Sequence, residues 1–328
     1  MSAVLRLLRE PLALTLGVLG LFFAIGALAF PHFASIAVVR NLLVDNAFLG
    51  VAAIGATFVI LSGGIDLSVG SVMAFTSILT ATLVEVWHVH PLAAMAAALI
   101  VGAGFGTLQG VLIACFELPA FLVTLAGMFF ARGAAFAVHP QSIGITHPFI
   151  AATLNEKCSL RLPLTPPGTE LPITVLVLMV CFGFAWFMLG HVRLGRRVYA
   201  IGDDPAAALF MGVPVARTRI LVYAISGTLS ALAGVVFMLY QQSGDPAACK
   251  GLELDAIAAV VIGGTLLRGG VGSVAGSLAG VMILGLIQTI IAFQGNLSSW
   301  WARIVVGALV LLFLAAHRVV SRLSRGMS

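Results

Sequence analysis

Charge is what this chain has least of. Acidic and basic side chains together make up 9% of its 328 residues, against roughly a quarter in a soluble domain, and a water-soluble globular protein is thereby excluded. Lysine is reduced to Lys157 and Lys250. Neither completes G-x-x-x-x-G-K-[ST], so no phosphate-cradling loop is present and the chain cannot be its own ATPase. G-x-S-x-G and H-E-x-x-H are missing as well. With one deeply placed carboxylate, Asp66, an intramembrane aspartic protease would lack its second acid. The cysteines, Cys115, Cys158, Cys181 and Cys249, form no CxxC pair and no metal spacing. Glu85, His88 and His90 flank Trp87 and read as interfacial residues rather than metal ligands. No enzyme, cofactor or metal site is expected.

What the chain does have is apolar sequence, 61% of it, with a mean hydropathy of +1.14. A membrane span takes about 20 apolar residues, which leaves room for around ten spans and no large soluble domain. The fold class expected is an all-α integral membrane protein, one domain over 1–328, with about ten transmembrane helices, some broken by glycine, and a weak internal repeat. The apolar runs are Pro11 to Phe30, Leu43 to Leu61, Val69 to Val86, Leu92 to Phe116, Ala120 to Ala137, Ile173 to Gly190, Ile220 to Gln241, Leu254 to Leu267, Val271 to Phe293 and Ser298 to His317. The second, third, eighth and ninth are short or interrupted by glycine and read as half-helices. The first exceeds the apolar core of a signal peptide, about 7–15 residues, and reads as a retained span.

Eleven of the seventeen basic residues, from Arg6 and Arg9 to Arg318, Arg322 and Arg325, fall on one side when the spans alternate. The positive-inside rule then puts both termini in the cytoplasm. The net charge of +5 serves membrane topology and lipid contact, not nucleic acid. Two hydrophilic segments emerge. The one at 138–172, with six of the thirteen prolines, is an external loop. The one at 191–219 is basic and internal. Cys158 and Cys249 both fall outside, where a disulfide and two unconnected thiols remain open alternatives. Gly102, Gly106 and Gly110, like Gly272, Gly276 and Gly280, recur at four-residue spacing and read as helix-packing stripes.

The stretch "LSGGIDLSVGSV" interrupts two apolar runs with a double glycine and a carboxylate. Its surroundings, "AIGATFVILSGGIDLSVGSV" (Ala53 to Val72), echo "AIAAVVIGGTLLRGGVGSV" (Ala256 to Val274). Paired glycine-interrupted segments in two halves are a sequence pointer to a transport path. Asp66 then lines a path for a hydroxyl-rich solute together with Ser62, Gly63, Gly64 and Ser68, or it caps the helix beginning near Leu67. Asn46, Arg132 and Gln288 are the other polar path candidates, Arg132 with snorkelling to lipid head groups as its alternative. In "AIGDDPAAALFMGVP", Asp203 or Asp204 caps a short helix, Pro205 opens it, Ala206 and Ala207 propagate it, Gly212 ends it and Pro214 blocks continuation. Set among Arg193, Arg196, Arg197, Arg217 and Arg219, it is a docking peg for a cytoplasmic partner or a linker lying on anionic lipid.

The segments "NAFLGVAAIGATFVILSGGIDLSVGS", "PAFLVTLAGMFFARGAAF", "YAIGDDPAAALFMGV" and "AIAAVVIGGTLLRGGVGSVAGSLAG" resemble the membrane permeases of ribose, galactose and arabinose ABC importers, roughly from Asn41 to Arg318. "LAGMFFARG", "ELDAIAAVVIGGTLLRGG" and "LSSWWARI" are most similar to galactofuranose importer permeases. The resemblance implies a channel-forming subunit in the bacterial inner membrane that pairs with itself or a sister permease. It also implies a separate cytoplasmic ABC ATPase and a periplasmic sugar-binding protein. Coupling would run through Gly202 to Gly212, and the sugar path past the breaks around Asp66 and Gly269. Asp204 and Pro205 depart from the family's usual Asn and small residues. The alternatives are an ion-coupled secondary sugar transporter, for which only Asp66 could serve as coupling group, and a passive channel.

Overall fold

A computed structural model describes residues 11–150, 170–295 and 300–325. The chain is a bundle of thirteen helices among those residues. They are α1 (Pro11–Ala29), α2 (Ile36–Asp45), α3 (Ala47–Leu61), α4 (Val69–Ala81), α5 (Pro91–Cys115), α6 (Ala120–Val138), α7 (Ile173–His191), α8 (Arg193–Asp203), α9 (Pro205–Phe210), α10 (Val215–Gln241), α11 (Leu252–Ile262), α12 (Val274–Gln294) and α13 (Trp300–Arg325). A π-helical turn, Thr82–Val86, prolongs α4.

Hydrophobicity does not by itself place a helix in this bundle, since α1 and α3 are both apolar on all sides. Every residue of α3 except Phe48 is buried, as expected of a helix apolar on all sides. It forms the axis of the bundle, packed by α10, α11, α12 and α7. By contrast α1 is largely exposed, with Leu28 at 89%. The stripes pack as the spacing predicts except at Gly272, which precedes α12 at φ +150° and lies against Thr265. Gly102 and Gly106 of α5 press on Gly227 of α10, while Gly276 and Gly280 of α12 meet Gly263 and Ala259.

Each of the ten apolar runs holds a helix. Among the described residues seven helices are long and apolar enough to cross a membrane, and α2 with α3 makes an eighth if that pair, bent by 54°, is one span. The sequence gives no glycine or proline at that bend, so the expected Leu43 to Leu61 span hides it. The helix α11 has only 11 residues, about 16 Å against a hydrocarbon core of roughly 30 Å. In α13 the apolar sequence runs on through Ala316 to His317 and Arg318.

The segment before α11 explains its shortness. Gly244 packs against Ser77 and Ile78 of α4, whereas Cys249 and Glu253 lie against Gly70 in the first turn of α4. From Ile78 to Gly70 the descent is about 12 Å. The chain therefore dips into the bundle and starts α11 at depth. At the rim it is tied by a two-residue antiparallel ribbon, β1 (Ile143–Gly144) with β2 (Ser243–Gly244), and by Glu85, whose carboxylate accepts bonds from the Thr146 N–H (2.8 Å), the Thr146 hydroxyl (2.8 Å) and the His147 N–H (2.9 Å). Cys249 is a buried thiol; Cys158 lies outside the described residues, as does most of the expected 138–172 loop.

Candidate functional site

Both echoed segments stop their helices with the same device. At the end of α3, Gly63 takes φ +78°, its N–H donates to Ile60 O (2.9 Å) and that of Gly64 to Val59 O (2.9 Å). At the end of α11, Gly264 takes φ +87°, its N–H donates to Val261 O (2.9 Å) and that of Thr265 to Val260 O (3.1 Å). This crossed pair is a Schellman motif, which a left-handed glycine permits. The halves then diverge. Val69-Gly-Ser-Val opens α4 directly, whereas the second Val-Gly-Ser-Val precedes α12 and supplies its cap, the Ser273 hydroxyl accepting from Gly276 N–H at 3.1 Å.

Between the first break and α4 sits Asp66, 3% exposed. Its Oδ1 accepts from the Ser68 N–H (2.9 Å) and hydroxyl (2.6 Å), and its Oδ2 from the Ser226 hydroxyl of α10 (2.7 Å). The helix expected near Leu67 opens two residues later, at Val69, with Ser68 in the N-cap position, so Asp66 holds the cap residue and is not itself the cap. Its partners are hydroxyls and an amide rather than a cation. Tyr223 of α10 donates to Ile65 O at 3.1 Å. Ser62, Gly63 and Gly64 face the other way and line a cavity of about 580 Å³ with Glu117, Arg219 and Tyr223.

The two breaks meet each other and the basic segment at one point. Gly270 N–H donates to Leu61 O at 3.0 Å, and the end of α8 is wedged between them. A Cβ on Gly202 would strike Leu61 O and the Gly270 nitrogen, and one on Gly269 would lie 2.7 Å from Gly63 N and 2.8 Å from Gly202 Cα. Tyr199 of α8 donates to Gly272 O at 3.0 Å, its phenol pushed upward in pKa by burial. Gly202 and Asp203 therefore end α8 instead of opening the peg, and Asp204 is the cap. Its Oδ1 accepts from Ala206 N–H (2.8 Å) and Ala207 N–H (3.1 Å), with Pro205 in the first turn. Gly212 at φ +78° ends α9. The peg's tip, Leu209, Phe210 and Met211, is bare, Phe210 at 91%. Its neighbour Leu209 also reaches the inner cavity.

A protein-family profile described as "Branched-chain amino acid transport system / permease component" matches residues 38–314. The chain belongs to this permease family. The permease is 48% identical over 308 residues to "Inner membrane ABC transporter permease protein YjfF" of Escherichia coli (strain K12), covering 94% of this chain and 92% of that protein. It is 39% identical over 285 residues to the ribose import permease RbsC of the same strain, 86% of each chain. To the fructose import permease FruG of Bifidobacterium longum it is 35% identical over 308 residues, 92% of this chain and 88% of that one. No solved structure matches.

The remaining path candidates of the permease sit apart from the breaks. Asn46, at the bend between α2 and α3, and Gln288 of α12 line one cavity. Arg132 of α6 instead donates to Pro246 O (2.9 Å) and Ala248 O (2.6 Å) and so latches the segment that dips into the bundle. Arg132→Leu removes two charge-assisted bonds, about 3 kcal/mol together. Amide exchange across 244–251 is expected to speed up roughly a hundredfold; unchanged protection there would refute the latch. Sequence reasoning missed Tyr223, Ser226 and Glu117. A tyrosine within an apolar run was a readable signal, whereas Ser226 is identified only by its contact.

Proposed function

We propose that this permease is the translocation subunit of an ATP-driven monosaccharide importer in the bacterial inner membrane, with galactofuranose as its sugar. Two copies, or one copy and a sister permease, enclose the path. A separate ABC ATPase docks on α9 from the cytoplasm, where both termini also lie, and a periplasmic binding protein delivers the sugar. The observation that carries this reading is the junction at Gly202. A bare apolar peg is joined through one glycine contact to both helix breaks, so a push on α9 is delivered to Leu61, Gly63, Gly269 and Gly270 without passing through flexible side chains. Sugar-importer relatives support the solute class, and the quoted galactofuranose-type segments support the particular sugar. Gly63 and Gly64 form the inner wall of the path, with Ser62 beside them; Asp66 and Ser68 hold its shape. Asn46 and Gln288 line its outer part. Nothing favours ion coupling, since both oxygens of Asp66 are already engaged by Ser68 and Ser226.

Two changes to the peg test the coupling. Asp204→Lys replaces the cap acceptor with a cation at a helix N-terminus, unfavourable by about 1–2 kcal/mol, and deletion of 206–211 removes α9. Both are expected to end co-isolation of the ATPase and ATP-dependent uptake while the permease still inserts. Normal ATPase co-isolation with the deletion variant would sink the docking role. Competition among galactofuranose, ribose and fructose for uptake identifies the sugar.

A further inference from the structure

The helix α12 is apolar along nearly all its length, and Gln288 is one of its few polar residues. It faces not one cavity but two. On one side, about 310 Å³ opens in the angle between α2 and α12, where Asn41, Asp45 and Asn46 line the wall with Thr289 and Phe293. On the other, about 560 Å³ lies between α11, α12 and α13, lined by Asp255 and Arg303. Ala292 borders both cavities as well, so Gln288 and Ala292 stand between two adjoining cavities.

The bend creates the first of these cavities. At Asn46 the axis turns by 54°, and the side chain stays inward, its Nδ2 donating to Leu42 O at 2.9 Å. Gly285 makes room for it, since a Cβ there would collide with the Asn46 amide and come within 2.7 Å of the Leu42 side chain. Tyr240 donates to Asp45 Oδ1 at 3.1 Å and holds α2 against α10.

We infer that the two adjoining cavities make up one monosaccharide-binding cleft, with Gln288 at its centre and Asn46 and Asp255 on its two walls. The inference rests on the transport function proposed above. The chemistry selects a neutral polyol. Amides offer both a donor and an acceptor and carboxylates accept, which suits the hydroxyls of a polyol, and Phe293 offers an apolar face to the ring carbons. Asp255 and Arg303 bring opposite charges to one cavity, so a neutral solute meets little net field there. An anionic head group would meet Asp45 and Asp255. Each cavity also falls in the size range of small-molecule sites, about 300–1,000 Å³.

The test uses the complete complex in proteoliposomes, loaded with ATP and offered radiolabelled galactofuranose, ribose and fructose. Gln288→Leu and Asp255→Asn are expected to raise the half-saturating sugar concentration at least tenfold and to change the order of preference among the three sugars. ATPase co-isolation reports assembly of each variant. In parallel, Gln288→Cys is treated with a thiol reagent, and bound sugar is expected to slow its modification at least fivefold. Uptake by the unaltered complex, with both substitutions leaving affinity and preference within twofold, overturns the cleft but not the transport function. A wild-type complex that takes up none of the sugars overturns the function, and the thiol measurement still reads the cleft: equal modification rates with and without sugar overturn it.

Discussion

Gly202→Val is expected to abolish ATP-driven sugar uptake while the permease remains inserted and in normal amount. Any Cβ at this position strikes the Leu61 carbonyl and the Gly270 nitrogen. Both are backbone atoms, so no side chain can swing away. The Gly270-to-Leu61 hydrogen bond of 3.0 Å sits in the same gap and would be pried open. Overpacking of this kind costs about 1–3 kcal/mol or more, and the cheapest relief is to move α8 away from both breaks. That severs the peg from the path. Uptake is expected to fall at least a hundredfold in proteoliposomes carrying the full complex. Gly190→Ala is the matched control, because a Cβ there meets nothing within 4 Å and the helix gains about 0.5–1 kcal/mol. Uptake by Gly202→Val within twofold of wild type would show that the junction transmits nothing.

The next largest effect belongs to Asp66. Asp66→Ala strands the Ser68 N–H and the Ser226 hydroxyl in a buried site, at about 1–3 kcal/mol for each group left without a partner. A loss of roughly 10 °C in thermal midpoint in detergent is expected. Asp66→Asn keeps an acceptor for Ser68 and offers a donor to the Ser226 oxygen, so it is expected to lose about half as much. The ranking wild type, Asn, Ala distinguishes a hydrogen-bonded organiser of the break from a bare charge. Equal midpoints for all three would remove Asp66 from the architecture.

Local signals made much of this fold readable. A double glycine after an apolar run foretold both Schellman stops. Asp204, Pro205 and Gly212 foretold α9 almost residue by residue, because a cap, a first-turn proline and a left-handed terminator act within one helical turn. What stayed hidden depends on distant partners. In "RNLLVDNAFLG" only the polar pair Asp45-Asn46 marks the 54° bend, and the room for it is supplied at a distance, by Gly285 of α12 against Asn46. Asp66 and Ser226 are 160 positions apart, so their bond leaves no periodic trace. The assignment of Gly202 and Asp203 to α8 likewise follows from packing against the two breaks rather than from helix propensity. The shortness of α11 is hidden for a related reason: apolar composition reports burial, and most of this 11-residue helix is buried in protein.

Tyrosine occurs three times in the chain, and each phenol bonds to an interrupted helix: Tyr199 to Gly272 after the second break, Tyr223 to Ile65 after the first, and Tyr240 to Asp45 at the bend. Biosynthetic 3-fluorotyrosine in this chain would therefore give a fluorine spectrum with one resonance for each of these three joints. The transport cycle could be followed joint by joint, without engineering a probe site.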